Sequence, residues 1–317
     1  MLSRIAMPRR QMIGGGLASL ALTGPALAQS QPGFEPLPAQ VKVRDRQLTT
    51  AVRINGKGPF HFIIDTGADC SVIAEDVAQA LHLPVGRNVM VQGIIRSMQA
   101  PSVPVAELRF GSLERSNLEL PVLPRSLLKA DGFLGLDAIG RNRVVFDFKR
   151  RTLRVIDSLS AAWVERLGSE TLIAAPGDDG HLRTMACRVD GVVTTAFIDT
   201  GAEVSAGNEA LRRALAERGP GNNSDRDIEL TGVTGGSRMG KVVKVDSILF
   251  GNLEFSGCEI AAADLDVFRI WNLADEPALL IGLNFLREFQ TVTIDYGRKE
   301  FRLKLASAAA WVSRKHG

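Results

Sequence analysis

Cysteine, histidine and tyrosine are scarce in this chain of 317 residues, which holds three, four and one of them. Cys70, Cys187 and Cys258 permit at most one intrachain disulfide and form no C-x-x-C pair, which excludes a disulfide-stapled scaffold. His61, His82, His181 and His316 are scattered without the spacing of metal ligands, so neither a metal nor a cofactor is expected. The P-loop, the G-x-G-x-x-G dinucleotide fingerprint and the G-x-S-x-G nucleophile elbow are missing, which removes most common enzyme chemistries. The formal charge of +3 is confined to Arg4, Arg9 and Arg10, within 28 residues that hold no acid, and leaves 35 basic against 35 acidic side chains elsewhere. A balanced body without a basic block excludes nucleic acid as a partner.

The first 28 residues read as an export signal. Basic residues ending in Arg9-Arg10 precede an apolar run from about Met12 to Leu22, then Ala26-Leu27-Ala28, the small-x-small pattern of a signal-peptidase site. The paired arginines fit a twin-arginine signal, although Pro8 precedes them, and the general export route fits equally. The apolar run is roughly half the ~20 residues of a membrane span, and no other stretch is long enough to cross. The expectation is a periplasmic protein with no integral membrane segment after signal removal.

An internal repeat organises the rest. Residues 62–71, FIIDTGADCS, recur as residues 196–205, AFIDTGAEVS. Upstream, Ala51–Gly56 parallels Ala186–Gly191; downstream, Leu108–Leu113 parallels Ile248–Leu253, and Phe133–Asp137 parallels Leu280–Asn284. Each copy closes on a similar strand pair, FDFKRRTLRV at 146–155 and IDYGRKEFRL at 294–303. Short Val, Ile and Phe runs punctuated by Gly, Asn and Asp predict an all-β architecture. Helical pattern is confined to Ala74–Leu83, Glu209–Arg218 and Ala161–Leu167. The implied organisation is a signal at 1–28, lobes at 29–157 and 181–306, a linker at 158–180 and a tail at 307–317.

The repeated Asp-Thr-Gly carries chemistry. Asp65 and Asp199 each follow a run of buried-strand character, where a lone carboxylate is costly to ionise. The glycine two positions on permits a tight turn, and the threonine hydroxyl can tie that turn down. Two copies meeting across a pseudo-twofold axis would set the carboxyl groups side by side, sharing one proton and titrating as a pair. One then acts as general base on a water while the other donates a proton to a carbonyl oxygen.

Asp65-Thr66-Gly67-Ala68 and Asp199-Thr200-Gly201-Ala202, each followed downstream by two apolar residues and Gly-x-Asp/Asn, resemble the retropepsin-type aspartic proteases over nearly all of the chain beyond residue 28. The resemblance implies two β-barrel lobes related by pseudo-twofold symmetry, with Asp65 and Asp199 as the catalytic pair. It implies that Thr66 and Thr200 interlock beneath the pair, and that the carbonyls of Gly67 and Gly201 face the substrate backbone. Ala68, Asp69, Ala202 and Glu203 then contact substrate, with surface turn charges as the other reading of Asp69 and Glu203. Glycine-containing flaps are implied near Gly93 and from Gly232 to Gly240, with the apolar Gly93-Ile94-Ile95 meeting substrate side chains. Leu136 and Leu283 stand where the viral enzymes carry an arginine paired to the acidic residue after the alanine, so that ion pair is expected to be lost. Tyr296, the only tyrosine, falls outside any flap, unlike the flap-tip tyrosine of pepsin-like enzymes. Cys70, beside the motif, reads as a packing residue or an oxidation-sensitive switch. The function expected is an exported aspartic endopeptidase, active as a monomer on protein or peptide substrates with apolar residues at the scissile bond. The alternative is a catalytically silent peptide-binding or scaffolding module.

Overall fold

The computed structural model describes residues 49–159, 169–173, 175–176, 180–219, 223–305 and 312–314. The expected export signal at 1–28 and the expected helical pattern at 161–167 lie outside the described residues. Each copy of the repeat closes a six-stranded barrel. In the first, Thr49–Ile54, Lys57–Ile64, Gly132–Leu134, Val72–Ala74, Leu113–Leu123 and Met98–Phe110 pair in turn, and Met98–Phe110 returns to Thr49–Ile54. In the second, Leu182–Val189, Val192–Ile198, Ala278–Ile281, Ala206–Gly207, Leu253–Ala262 and Ser237–Phe250 make the same circuit. Closure follows from the register: Val52 faces Phe110 in one barrel and Cys187 faces Phe250 in the other, all four buried.

The strand preceding each Asp-Thr-Gly is apolar on both faces because it is covered on both. Phe62, Ile63 and Ile64, like Ala196, Phe197 and Ile198, are all buried. The parallel neighbour of each is the run that leads into Gly-x-Asp/Asn, with Ile64 beside Leu134 and Ile198 beside Ile281. Both motifs therefore emerge at the same end of adjacent strands.

A third, five-stranded sheet joins the copies in the order Ser169–Ile173, Glu300–Leu305, Phe289–Asp295, Arg143–Asp147 and Thr152–Ile156. Val145 pairs with its own repeat equivalent, Thr293, which places the pseudo-twofold axis there. Two expectations are corrected. The 158–180 segment is more than a linker, since Ser169–Ile173 adds an edge strand to the shared sheet and Ala175–Pro176 pairs with Leu182 and Arg183. The 307–317 tail contributes Val312–Arg314, paired with Leu253, Glu254 and Phe255. The predicted helices are shorter than their patterns, Glu75–Ala80 and Glu209–Ala216. Asn208 starts the second by accepting from the Leu211 amide at 2.8 Å. Among the described residues no helix is long and apolar enough to cross a membrane.

Candidate active site

The two Asp-Thr-Gly loops meet back to back. Thr66 Oγ1 donates to the Ile198 carbonyl at 2.8 Å, and Thr200 Oγ1 donates to the Ile64 carbonyl at 2.6 Å. In return the Thr66 amide donates to Thr200 Oγ1 at 3.2 Å and the Thr200 amide to Thr66 Oγ1 at 3.1 Å. Each buried hydroxyl thus ties its own loop to the other lobe. Thr200→Val would strand the Thr66 amide and the Ile64 carbonyl in the interior, at a cost of about 2–4 kcal/mol. The melting temperature is then expected to fall as the loops lose register, with Thr200→Ser restoring it. An unchanged melting temperature in Thr200→Val would disprove the role.

Above this lock the carboxyl groups face each other. The Gly67 amide donates to Asp65 Oδ1 at 3.0 Å, and Gly201 and Ala202 donate to Asp199 Oδ1 at 2.8 and 3.2 Å. Only glycine fits at the crossing points. A Cβ on Gly67 would stand 2.7 Å from Asp199 Cγ, and one on Gly201 would collide with the Asp65 carboxyl. Burial, then the charge of Asp65, push the Asp199 carboxyl well above its ordinary value, and a side-chain hydrogen bond to Asp65 adds to this against the Gly201 and Ala202 amides. Asp199 is 4 % exposed while Asp65 is half-buried, so the two positions differ in environment despite their shared motif.

The downstream turns brace the loops in matching ways. Asp137 Oδ1 accepts from the amide and hydroxyl of Ser71 at 2.8 and 2.7 Å, and Asn284 Oδ1 accepts from the amide and hydroxyl of Ser205 at 2.8 Å each. The Leu136 amide donates to the Ala68 carbonyl and the Leu283 amide to the Ala202 carbonyl, at 2.9 and 2.8 Å. Ser71 and Ser205 are the supports that sequence reasoning missed, although both end the repeated string.

A cavity of about 290 Å³ lies over the dyad. Asp65, Asp199, Gly67, Gly201, Ala68, Asp69, Ala202, Glu203, Gly93 and Gly232 all line it, whereas Thr66 and Thr200 lie beneath. Its walls are apolar: Val72, Leu123 and Phe133 from one lobe, and Leu265, Leu280 and Trp271 from the other. The roof is two hairpins. Asn88–Val91 pairs with Met98–Phe110 around a tip at 92–97, and Asn223–Thr231 pairs with Ser237–Phe250 around a tip at 232–236. Gly240 lies within a strand opposite Ile228 and not in the second tip. The tips are joined, with Arg96 Nε donating to the Thr234 carbonyl at 3.1 Å and Thr234 Oγ1 to the Arg96 carbonyl at 2.7 Å.

Two expectations about these residues are overturned. Ile95 is not presented to substrate: it is 3 % exposed and packed with Leu230, Leu265 and Trp271 of the second lobe, while Gly93 and Ile94 line the cavity. The ion pair behind the dyad is not lost on both sides either, since Arg287 reaches Glu203 at 3.0 Å. Arg287 lies four residues after Leu283, one helical turn on through Leu283–Leu286, and so covers the same face. The first-lobe equivalent of Arg287 is Gly140, and Asp69 instead stands 3.6 Å from His181 Nδ1.

All three cysteines are free thiols. Cys70 lines the cavity, and burial followed by the charges of Asp137, Asp69 and Asp65 push its thiol up to about 11, which opposes thiolate formation at neutral pH. Among the described residues no cluster of His, Cys, Asp and Glu could hold a metal ion.

Two barrels sharing a sheet, an Asp-Thr-Gly loop from each and a two-hairpin roof define a bilobal aspartic protease fold. The family model for aspartyl protease matches residues 50–138 and 185–285, one segment in each lobe, and the chain belongs to the aspartyl protease family, retropepsin-like, with two fused lobes. No curated protein matches the chain.

Proposed function

We propose that this protein is an exported endopeptidase that hydrolyses peptide bonds with a water activated between Asp65 and Asp199, acting as a single chain in the periplasm. The observation that carries the reading is the apposition of the two carboxyl groups beneath an apolar, roofed cavity. Asp199, the more buried, holds the shared proton, and Asp65 serves as base. Water attacks the scissile carbonyl carbon, its proton passes to Asp65, and the Asp199 proton passes to the carbonyl oxygen. The tetrahedral diol then collapses with C–N cleavage, as Asp65 returns a proton to the leaving nitrogen and Asp199 recovers its own. Gly67 and Gly201 line the cavity, where their carbonyls would meet the substrate backbone, and the apolar walls favour apolar residues on either side of the bond.

Residues 29–317, incubated with a diverse peptide mixture from pH 3 to 8, test this by mass spectrometry of the products. Cleavage between apolar residues, blocked by pepstatin or a viral-protease inhibitor, is expected. Activity is expected to fall as pH rises through the raised Asp199 value, because the proton donor is then lost. Peptides that bind and are never cut would instead indicate a silent binding module.

A further inference from the structure

A second cavity, of about 300 Å³, opens beside the first, and Asp69 lines both. Leu136, Leu182 and Tyr296 give it apolar walls, and Arg141 and Lys299 bring two cations to it. Both cations are exposed, and among the described residues neither forms an ion pair. Asp69 is the one acidic residue lining the recess and faces His181 at 3.6 Å, so positive charge is in excess there.

The repeat shows that the residues of this recess differ from their counterparts in the second lobe. Gly140 takes the place of Arg287 and Arg141 the place of Glu288, while Tyr296 and Lys299 correspond to Phe148 and Arg151. In the second lobe the Arg287 guanidinium lies against Glu203, whose side chain is 12 % exposed. In the first, Gly140 sits at φ +59° and brings no cation to Asp69, whose side chain stays 60 % exposed. The next position inverts its charge, from Arg141 to Glu288. A peptide lying through the cleft would meet free cations above an apolar recess at one end. At the other it would meet an arginine already neutralised, followed by a glutamate.

We propose that this recess is a distal subsite that takes an aspartate or glutamate side chain of the peptide on one side of the scissile bond and not on the other. The proposal rests on the peptidase reading above. The methylenes of a glutamate would pack on Leu136, Leu182 and the Tyr296 ring, and its carboxylate would pair with Arg141 and Lys299.

The test uses decapeptides with a central Leu-Phe and a single Glu or Gln at each position on either side, compared by kcat/KM. The wild-type chain is expected to prefer Glu over Gln about fivefold at one position, on one side only, with the preference shrinking as salt is added. Arg141→Glu combined with Lys299→Glu is expected to abolish the Glu/Gln ratio, and Lys299→Arg to retain it, with melting temperatures recording that each variant folds. Equal rates for Glu and Gln at every position, or a preference that survives the double variant, would overturn the subsite while leaving the peptidase reading intact. Fluorescence anisotropy with the same peptides, labelled, separates the two failures. A Glu preference in binding that disappears in the double variant, without any cleavage, would uphold the subsite and refute hydrolysis; neither binding nor cleavage would overturn both.

Discussion

Asp199→Asn is expected to lower kcat/KM for peptide cleavage by roughly 10³-fold or more while raising the melting temperature at neutral pH. Both effects come from one circumstance. The Asp199 carboxyl is buried against Asp65, and its value lies well above the ordinary one, so the folded state holds a proton that the unfolded chain releases. Stability from that group is fully present below the unfolded carboxylate value and is lost as pH rises through the folded one. Above the unfolded carboxylate value the wild-type protein bears a cost that grows with pH, because the buried carboxyl beside Asp65 must keep a proton that the unfolded chain has released or ionise without solvent. An asparagine amide keeps a donor toward Asp65 and carries no charge, so the cost disappears along with the proton that the proposed hydrolysis requires. Melting curves from pH 3 to 8 should show the wild-type advantage at acid pH shrinking as pH rises, with the slope flattened in Asp199→Asn. A variant that is both inactive and less stable at pH 7 would mean that the dyad is not the strained, proton-sharing pair described here.

The repeat made much of this arrangement legible from sequence alone. The dyad loops, the closing strand pairs and the Gly-x-Asp/Asn turns occur twice in one order, and a pattern that recurs in register constrains the fold more than either copy could. What stayed hidden depends on how the lobes approach each other. An isoleucine beside a flap glycine reads alike whether it faces substrate or the opposite lobe, and only tertiary packing sends Ile95 into the cluster around Trp271. Arg287 escaped because the expected position was read along the chain, at Leu283, and not along the helical face one turn later. Ser71 and Ser205 were within reach, since each ends its copy of the repeated string and each is bound by the polar residue of the downstream turn. The edge strand Ser169–Ile173 lies in a segment whose composition resembles a connection, and its partner is more than 100 positions away in the chain.

The sheet that joins the lobes supplies the second large effect: Asp295→Ala is expected to cost about 3–5 kcal/mol and to abolish cleavage. Asp295 and Arg143 come from opposite copies of the repeat, pair at one end of the register between the two lobes' strands in the shared sheet, and are both 0 % exposed. Arg143 Nε donates to Asp295 Oδ2 at 2.6 Å, the Arg298 amide donates to Oδ1 at 3.0 Å, and the Ser158 hydroxyl also donates to Oδ1. Removing the carboxylate leaves a guanidinium charge inside the sheet that holds the dyad loops together. Burial alone would raise the Asp295 value, but Ser158, the Arg298 amide and Arg143 hold it below the ordinary range. Its contribution is therefore present above the unfolded carboxylate value and is lost as pH falls through the folded one, opposite in sign to that of Asp199. Asp147 is the repeat equivalent and supplies an internal control. It accepts from the Arg150 amide at 2.8 Å, as Asp295 does from Arg298, but its ion-pair partner Arg150 is 61 % exposed, so the charge left behind by Asp147→Ala returns to water. Chemical denaturation of the two alanine variants at pH 7 should give a loss several times larger for Asp295 than for Asp147. Below about pH 4 the deficit of Asp295→Ala relative to wild type should narrow as the wild-type carboxylate is protonated. Equal losses for the two variants would show that the buried cross-lobe pair does not hold the halves of the site together, and the stability of the dyad would then rest on the threonine lock alone.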